Sequence, residues 1–265
     1  FGGPLFIIYK ALTTIKLAQE LSFRFSRTFI PLFWLDSEDH DFEEVRATCI
    51  IDKENQLEEI RYSPSKIPSG EPMYQVILEE EINSCLEKLK SSLHPTEFKD
   101  EVVHALEDRY SKGQTLPNSF AKWMTRLLGK YGLVIVDPGD KELKKLAVDF
   151  FLKEIENPSK SMKLAKETGK TLESSGYHQQ VVKSEDAVNL FLEMDGKRSA
   201  LKWSGESIQI DGEDKKLSKH ELRQIIENEP ERLSPNVLLL PLMRSHLFPT
   251  AAYIGGPGEI SYYAQ

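Results

Sequence analysis

The stretch FIPLFWLDSEDHDFEEV, residues 29–45, joins a nearly continuous apolar run to a dense cluster of charged side chains. A short apolar run of this kind is typical of a strand that is covered on both faces, as in a parallel sheet. Apolar residues at helical spacing over positions 4–21 predict a helix directly before it, with Pro4 in the first turn. A second run, GLVIVDP at 132–138, predicts another buried strand. The combination predicts an α/β fold.

The charged cluster follows the first predicted strand, so it lies at the carboxyl end of that strand, where open α/β sheets bind ligands. Its ionisable side chains are Asp36, Glu38, Asp39, His40, Asp41, Glu43 and Glu44. Three interpretations compete: a metal site, a catalytic acid–base cluster and the acidic start of a helix. Helix capping and the helix dipole explain some of the carboxylates, but they do not explain His40.

Neighbouring side chains in the cluster diverge, and no second histidine follows at helical spacing, so we expect no transition-metal site here. A Mg²⁺ ion held by one or two carboxylates and a substrate phosphate stays open. The sharper hypothesis is acid–base catalysis by His40, oriented by a neighbouring carboxylate. The candidate catalytic residues are therefore His40, Asp39 and Asp41.

Two Gly-Gly-Pro turns, in FGGPL at residues 1–5 and in IGGPGEI at 254–260, each precede a predicted helix. Glycine lets a ligand approach the backbone closely, and a helix start offers N–H groups to an anion. Each turn can equally be a tight connection without a ligand. Neither turn matches the dinucleotide-binding or P-loop patterns, so a P-loop kinase or ATPase is not expected.

A histidine also stands in the turn SSGYHQQVV, residues 174–182, where His178 separates a predicted helix from an extended segment. A structural and a functional role both stay open for it. The lysine-rich region at 141–170 just before it is predicted to be a solvated helix face.

The remaining segments follow from local patterns. We predict a hairpin at 47–51 and 57–62, a turn-rich connector at 63–72, and two charged helices within 76–110, the second opened by Pro95. A helix over 120–131 would be capped by Asn118 or Ser119, and further helices are expected over 141–156 and 159–174. An antiparallel meander is expected over 187–210, and Ser218 with Glu221 forms a capping box that opens a helix to residue 228.

Composition and charge limit the classes of function that this chain can have. The net charge is −8 and the pI is about 5.4, which argues against a broad surface for nucleic acid. Cys49 and Cys85 show no metal-ligand spacing and predict reduced thiols in a cytoplasmic protein. No apolar run reaches the length of a bilayer span, and no signal peptide is visible. Both ends look cut, so a fragment of a longer protein is expected.

Five segments, taken in order, resemble one family. They are FGGPLFIIYKALTTIKLAQEL, FWLDSEDHDFEEV, WMTRLLGKYGLVIVDP, SGYHQQV and LFPTAAYIGGPGEISYYAQ. Together they are similar to the bacillithiol biosynthesis cysteine-adding enzymes, the cysteine ligases. The resemblance spans essentially the whole chain, and EDHDFEE and YIGGPGEISYYAQ are its most specific parts.

The resemblance implies an α/β, Rossmann-like core resembling class I nucleotidyltransferases, with helical and small antiparallel β insertions. The partial core would occupy residues 1–265, with insertions at about 63–118 and 184–230. The implied reaction is an acid–amino acid ligation that adds L-cysteine to glucosaminyl malate in the cytoplasm. ATP is implied as the activating co-substrate, and a need for Mg²⁺ stays open. A coiled coil that is missing from this chain would make the full-length protein a homodimer.

The family's motifs also imply binding residues. Those for substrate or nucleotide would be Gly2, Gly3, Pro4, Glu38, His178, Thr250, Tyr253, Gly255, Gly256, Gly258 and Glu259. The sequence departs from the family at Leu240, where arginine is typical, and at Arg244 and Ser245, where glutamine and an acid are typical. These departures favour one alternative, a catalytically impaired ligand-binding or scaffold homologue. A separate alternative that stays open is an adenylyl-transferring enzyme acting on another acid and amine.

Overall fold

The computed structural model describes residues 5–157 and 159–265. The predicted binding residues Gly2, Gly3 and Pro4 lie outside the described residues. The chain forms two compact units, the first ending at Pro138 and the second beginning at Gly139. No helix in the described ranges combines the length and apolar character needed to cross a bilayer.

The first unit contains two small sheets and five helices within its described residues. Its elements are α1 (Phe6–Phe25), β1 (Leu32–Trp34), α2 (Phe42–Val45), β2 (Ala47–Ile51), β3 (Leu57–Arg61), α3 (Glu81–Ser92), α4 (Lys99–Glu107), α5 (Leu116–Leu128) and β4 (Val134–Val136). Strands β1 and β4 pair in parallel, with Leu32 opposite Val134 and Trp34 opposite Val136. This pairing confirms that the two predicted strands exist, and the antiparallel pair β2–β3 confirms the predicted hairpin. The predicted burial of the two parallel strands was wrong, because β1 is half-buried along its length and Val134 of β4 is exposed.

Two apolar clusters fill the first unit. In one, the buried face of α1, with Ala11 and Ile15, packs with residues of α5 and of the strand ends. In the other, Phe42 anchors the single-turn helix α2 among buried residues of the segment before α3 and of the first turns of α3 and α5. Burial of these faces is what stabilises a helix as short as α2, since one turn in isolation is not stable in water.

Helix α5 begins earlier than the sequence predicted. Its cap is Thr115, whose hydroxyl oxygen accepts a hydrogen bond from the Asn118 amide over 3.3 Å. Pro117 fits the first turn, because proline lacks the N–H that would be unpaired there. The predicted caps at Asn118 and Ser119 were therefore wrong, and Ser119 is instead fully buried inside the helix. Helix α4 begins at Lys99, four residues beyond the predicted opening at Pro95.

The second unit is built on a five-stranded antiparallel sheet in the order β8-β7-β6-β5-β9. Its elements are α6 (Lys141–Leu146), α7 (Val148–Glu156), α8 (Lys160–Ser174), β5 (Ala187–Met194), β6 (Lys197–Ser204), β7 (Ser207–Ile210), β8 (Lys216–Ser218), α9 (Lys219–Asn228), β9 (Leu233–Pro235), α10 (Leu240–Leu247) and α11 (Pro257–Ala264). The predicted meander is confirmed. Asp195 and Gly196 both have positive φ, as the two-residue turn between β5 and β6 requires.

The capping box at the start of α9 is also confirmed. The Ser218 hydroxyl accepts from the Glu221 amide over 3.1 Å, and the Glu221 carboxylate accepts from the Ser218 amide over 2.7 Å. Helix α7 packs against β5 and α9, so one face of the sheet and both helices share an apolar core.

The helix predicted over 141–156 is interrupted, because α6 ends at Leu146 and α7 begins at Val148. Ala147 between them is fully buried. Its amide donates a hydrogen bond to the carbonyl of Lys144, three residues earlier, as in a 3-10 turn. Lys144 is itself buried and donates to the carbonyl of Leu233. The lysine-rich region is therefore not a uniformly solvated face, since this lysine lies inside the unit.

Candidate functional site

The carboxyl ends of β1 and β4 are joined by a pair of side chains. The ladder continues one step beyond the strands, where the Leu35 amide donates to the Val136 carbonyl over 2.9 Å. Ser37 follows, fully buried, and its hydroxyl donates to the carboxylate of Asp137. This pair lies at the sheet edge where open α/β folds bind ligands. The sequence analysis missed both residues, since a serine inside an acidic run carries no signal of its own.

The acidic loop after β1 is held in place by its backbone. The amide of Met73 donates to the Asp39 carbonyl over 2.7 Å, and the amide of Tyr74 donates to the Ser37 carbonyl over 2.9 Å. Both donors belong to a short 3-10 turn that lies about 35 positions further along the chain. The loop that carries the candidate catalytic residues is therefore fixed at two points by a distant segment.

His40 and Asp39 form a close pair on this loop. The His40 amide donates to Asp39 Oδ1 over 2.7 Å, and the ring Nδ1 of His40 lies 3.6 Å from the same oxygen. Their side chains are 39% and 53% exposed, so solvent and a small substrate can reach both. The carboxylate of Asp39 therefore lies beside the ring of His40, the predicted base. A small movement of the ring would bring the two atoms within hydrogen-bonding distance.

The other charges of the cluster take different positions. Asp41 is exposed and precedes α2, where its side chain makes no capping hydrogen bond. Glu43 and Glu44 lie in the first turn of α2, and Glu43 pairs with Arg46 over 2.9 Å. Glu38 is half-buried. The acidic start of a helix thus explains Glu43 and Glu44. It does not explain Asp39 and His40, which precede the helix in the chain.

Within residues 5–157 and 159–265, no three His, Cys, Asp or Glu side chains are grouped as a metal site would require.

In the second unit, the closing Gly-Gly-Pro turn is organised by Glu259. One carboxylate oxygen accepts from the Gly256 amide over 2.6 Å, and the other accepts from the Tyr253 hydroxyl over 2.5 Å. The carboxylate of Glu259 therefore already occupies the position at which an external anion would bind the Gly256 amide. The expectation that this amide is available for an anion at the helix start is corrected accordingly.

Arg244 on α10 completes the same cluster. Its Nη1 donates to the hydroxyl oxygens of Tyr253 over 3.0 Å and of Tyr263 over 3.2 Å, and the residue is only 8% exposed. The two tyrosine rings stack with centroids 4.1 Å apart. Burial raises the pKa of Tyr253 well above its usual value, so the phenol stays protonated and donates to Glu259. The sequence analysis had noted Arg244 only as a departure from the family.

The glycines of this turn differ in their surroundings. A Cβ on Gly255 would lie 2.8 Å from Cε1 of Tyr253 and 3.1 Å from Cδ1 of Ile260, so the ring packs where a side chain would be. A Cβ on Gly258 would meet no atom within 4 Å. Gly255 is needed for packing, whereas the space beside Gly258 is open to a ligand. Thr250 is exposed and bonds locally, its hydroxyl donating to the Phe248 carbonyl over 3.2 Å.

His178 lies in an exposed segment, with Nε2 2.8 Å from the amide oxygen of Gln180. This segment is attached to the end of α11, because the Gln265 side chain accepts from the Val181 amide over 3.0 Å and donates to the Val181 carbonyl over 2.7 Å. The His178 turn and the closing Gly-Gly-Pro turn are thus connected within the second unit. The remaining candidates among the described residues, Glu38, Asp39, His40 and Asp41, belong to the first unit.

Several known proteins are similar in sequence to this chain over its whole length. The sequence profile described as "Bacillithiol biosynthesis BshC, N-terminal Rossmann-like domain" matches residues 1–265. Among curated relatives, "Putative cysteine ligase BshC" of Salinibacter ruber is 37% identical over 266 residues, covering 100% of this chain and 48% of the relative. The protein of the same name from Chlorobium phaeobacteroides is 35% identical, covering 100% and 47%. That from Bacillus cereus (strain G9842) is 30% identical, covering 99% and 49%. The chain spans about half the length of the curated relatives it matches.

Proposed function

The chain belongs to the BshC family of bacillithiol biosynthesis through its N-terminal Rossmann-like domain, and on this premise we propose that it is part of an acid–amino acid ligase that adds L-cysteine to glucosaminyl malate. The observation that carries the proposal is the match of the whole chain to relatives named as cysteine ligases. The pair of His40 and Asp39 beyond β1 supplies the acid–base chemistry that this reaction needs.

Amide formation requires an amine that is neutral when it attacks the carboxyl carbon. We assign His40 as the base that takes a proton from the glucosamine amine while the new C–N bond forms and the bond to the carboxyl leaving oxygen breaks. Asp39, 3.6 Å from the imidazole, stabilises the protonated ring and sets its orientation. Asp41, exposed at the start of α2, lies next to His40 in the chain and can hold the incoming amine.

The closing turn is proposed to bind the anionic groups of the substrates. ATP, when bound, supplies the activation that turns a carboxyl oxygen of cysteine into a leaving group. The open backbone at Gly258 fits the close approach of a phosphate, whereas the Gly256 amide is already bonded to Glu259. Tyr253 and Glu259 would hold the turn in shape, and Thr250 and His178 are exposed donors for polar groups of the substrates.

The decisive experiment uses the full-length protein, with purified enzyme mixed with cysteine, ATP and glucosaminyl malate and the product sought by mass. We expect His40→Asn to lower turnover by at least about a hundredfold, the usual contribution of a positioned base. His104→Asn is the matched control, because His104 also lies near an aspartate, 3.8 Å from Asp108, on an exposed helix surface. Turnover near that of the wild type in a folded His40→Asn variant would refute the role of His40.

The same assay separates the alternatives. Substrate binding without product would support the impaired or scaffold homologue that the departures at Leu240, Arg244 and Ser245 suggested. Formation of AMP with another acid and amine, and none with cysteine, would support a different adenylyl-transferring enzyme. Repeating the assay with a chelator tests the need for Mg²⁺. The proposed homodimer, formed by a coiled coil outside these residues, is tested by measuring the mass of the full-length protein in solution.

A further inference from the structure

A glycine lies in the interior of helix α8, where almost any other residue would favour the helix more. Gly169 is buried, five residues before α8 ends at Ser174. Glycine in the middle of a helix destabilises it relative to alanine, because glycine loses more backbone freedom on folding. The glycine therefore indicates that another group packs where a side chain would lie.

The side chain of Gln179 is that group. A Cβ on Gly169 would lie 2.5 Å from Nε2, 2.6 Å from Cδ and 3.0 Å from Cγ of Gln179, so the glutamine lies directly on the helix backbone. Gln179 is half-buried, whereas its neighbours His178 and Gln180 are exposed. Successive side chains of an extended segment point to opposite sides, so Gln179 packs against α8 while His178 stays accessible.

The chain reverses its direction at the end of α8, and this reversal brings Gln179 back to the helix. Gly176 has a φ of +85°, and the amide of Tyr177 donates to the Leu172 carbonyl over 3.0 Å. Together they form the Schellman motif that commonly ends a helix at a glycine. The segment that follows runs back beside α8, and Gln179 therefore meets the helix at Gly169.

Two further contacts hold the same segment. The ammonium of Lys166 on α8 pairs with the carboxylate of Glu185. The Gln265 side chain makes two hydrogen bonds to the backbone of Val181. His178 is thus carried by a segment that is fixed on both sides. A group that is already held in place loses less freedom when it binds a ligand, so its contact contributes more to affinity.

We propose that Gly169 and Gln179 are positioning residues for His178, whose imidazole donates a hydrogen bond to a carboxylate or phosphate group of a substrate. This proposal rests on the function proposed above and adds to it how the exposed histidine is held. The packing of Gln179 on Gly169 fixes the backbone beside His178. The contact of 2.8 Å between His178 Nε2 and the amide oxygen of Gln180 fixes the ring.

The test measures binding, so it needs no turnover. The full-length protein is titrated by calorimetry with ATP and, separately, with glucosaminyl malate. Gly169→Leu keeps a strong helix former in α8, but its side chain takes the place of the Gln179 amide and displaces the segment. We expect it to weaken the binding of at least one ligand about tenfold, the effect of losing one hydrogen bond to a charged group.

A second variant and a control accompany it. Gln179→Ala removes the packed side chain without adding an atom, and it should weaken the same ligand by a smaller factor. If Gly169→Leu does not fold, Gln179→Ala alone decides the proposal. Gln224→Ala is the matched control, because Gln224 is an exposed glutamine on α9 in the same unit, and it should leave both affinities unchanged.

A background without the histidine separates positioning from a general effect on the fold. In His178→Ala, the further change Gly169→Leu should cause no additional loss of affinity, because the group that it displaces is already absent. An equal loss in both backgrounds would overturn the proposal, since Gly169 would then act without His178. Unchanged affinity for both ligands in Gly169→Leu, or no binding of either ligand by the wild type, would also overturn it.

The two ligands identify the group that His178 binds. Weaker binding of ATP alone assigns a phosphate, weaker binding of glucosaminyl malate alone assigns a carboxylate, and weaker binding of both places His178 between them. Each supports the proposal when the loss disappears in His178→Ala. A wild type that binds both ligands and forms no product refutes the ligase function but not the positioning role. Product formation with equal affinities in all variants refutes only the positioning role.

Discussion

The guanidinium of Arg244 donates a hydrogen bond to the phenol oxygen of Tyr253 across 3.0 Å, and this bond connects helix α10 to the closing Gly-Gly-Pro turn. The Tyr253 hydroxyl donates a hydrogen bond to the carboxylate of Glu259, and that carboxylate also accepts from the Gly256 amide at the start of α11. A buried cation therefore stabilises the turn through one phenol and one carboxylate. The buried guanidinium of Arg244 is the origin of that chain of hydrogen bonds.

Replacing the cation should therefore loosen the closing turn. We expect Arg244→Met to lower the free energy of unfolding by about 2 kcal/mol, because two hydrogen bonds from a charged donor are lost and two half-buried phenols are left without it. Urea denaturation of the full-length protein measures the change. Arg223→Met is the matched control, since Arg223 pairs with Glu156 and Glu227 on an exposed surface and its loss should leave the midpoint unchanged.

The bond between Ser37 and Asp137 predicts a second effect on stability. Ser37→Ala should lower the free energy of unfolding by about 1–2 kcal/mol, because it removes a buried donor from a carboxylate at the ends of β1 and β4. Ser91→Ala, which removes an exposed hydroxyl on α3, serves as the control in the same thermal or urea melts. Equal stability of the two variants would contradict a structural role for Ser37.

The two glycines of the closing turn should respond differently to the same substitution. Gly255→Ala should destabilise the protein by about 1–3 kcal/mol, because its Cβ would lie 2.8 Å from the ring of Tyr253. Gly258→Ala should leave the melting temperature unchanged, because its Cβ meets open space. If a phosphate approaches the backbone there, Gly258→Ala should raise the KM for ATP about tenfold. An unchanged KM would place the nucleotide elsewhere.

Alkaline pH should weaken the first unit through the partly buried phenol of Tyr110. Burial raises the pKa of Tyr110 well above the value of about 10 found in unfolded chains. Above about pH 10 the unfolded chain releases the phenol proton of Tyr110 while the folded chain keeps it. The free energy of unfolding therefore falls as pH rises. In Tyr110→Phe the fall between pH 10 and pH 11 should be smaller by about 1 kcal/mol.

This prediction has its own internal control. Tyr110→Phe should have little effect at pH 7, where the phenol is protonated in both states. Tyr131→Phe, at an exposed tyrosine, should leave the whole pH profile unchanged. An identical pH dependence in the wild type and in Tyr110→Phe would show that another group is responsible for the alkaline loss.

Much of the fold follows from local sequence. The apolar runs before Asp36 and Pro138 predicted the two strands that pair in parallel, and the local pattern over 187–210 predicted the meander that contains β5 and β6. Ser218 with Glu221 predicted the start of α9. Each of these signals acts within a few residues, so the side-chain pattern alone is enough to specify it. The acidic cluster with His40 could also be predicted as a candidate site, because it follows an apolar run that forms a strand.

The sequence by itself determined most of the secondary structure, the family and the chemical character of the candidate residues. Only the tertiary structure decided which groups meet: Ser37 with Asp137, separated by 100 positions, and Val181 with Gln265, separated by 84. The tertiary structure also interrupts the helix at Ala147, close to the buried Lys144. It brings Arg244 within hydrogen-bonding distance of two tyrosines. The physical reason is that such contacts form between segments distant in the chain, so no pattern within either segment encodes them.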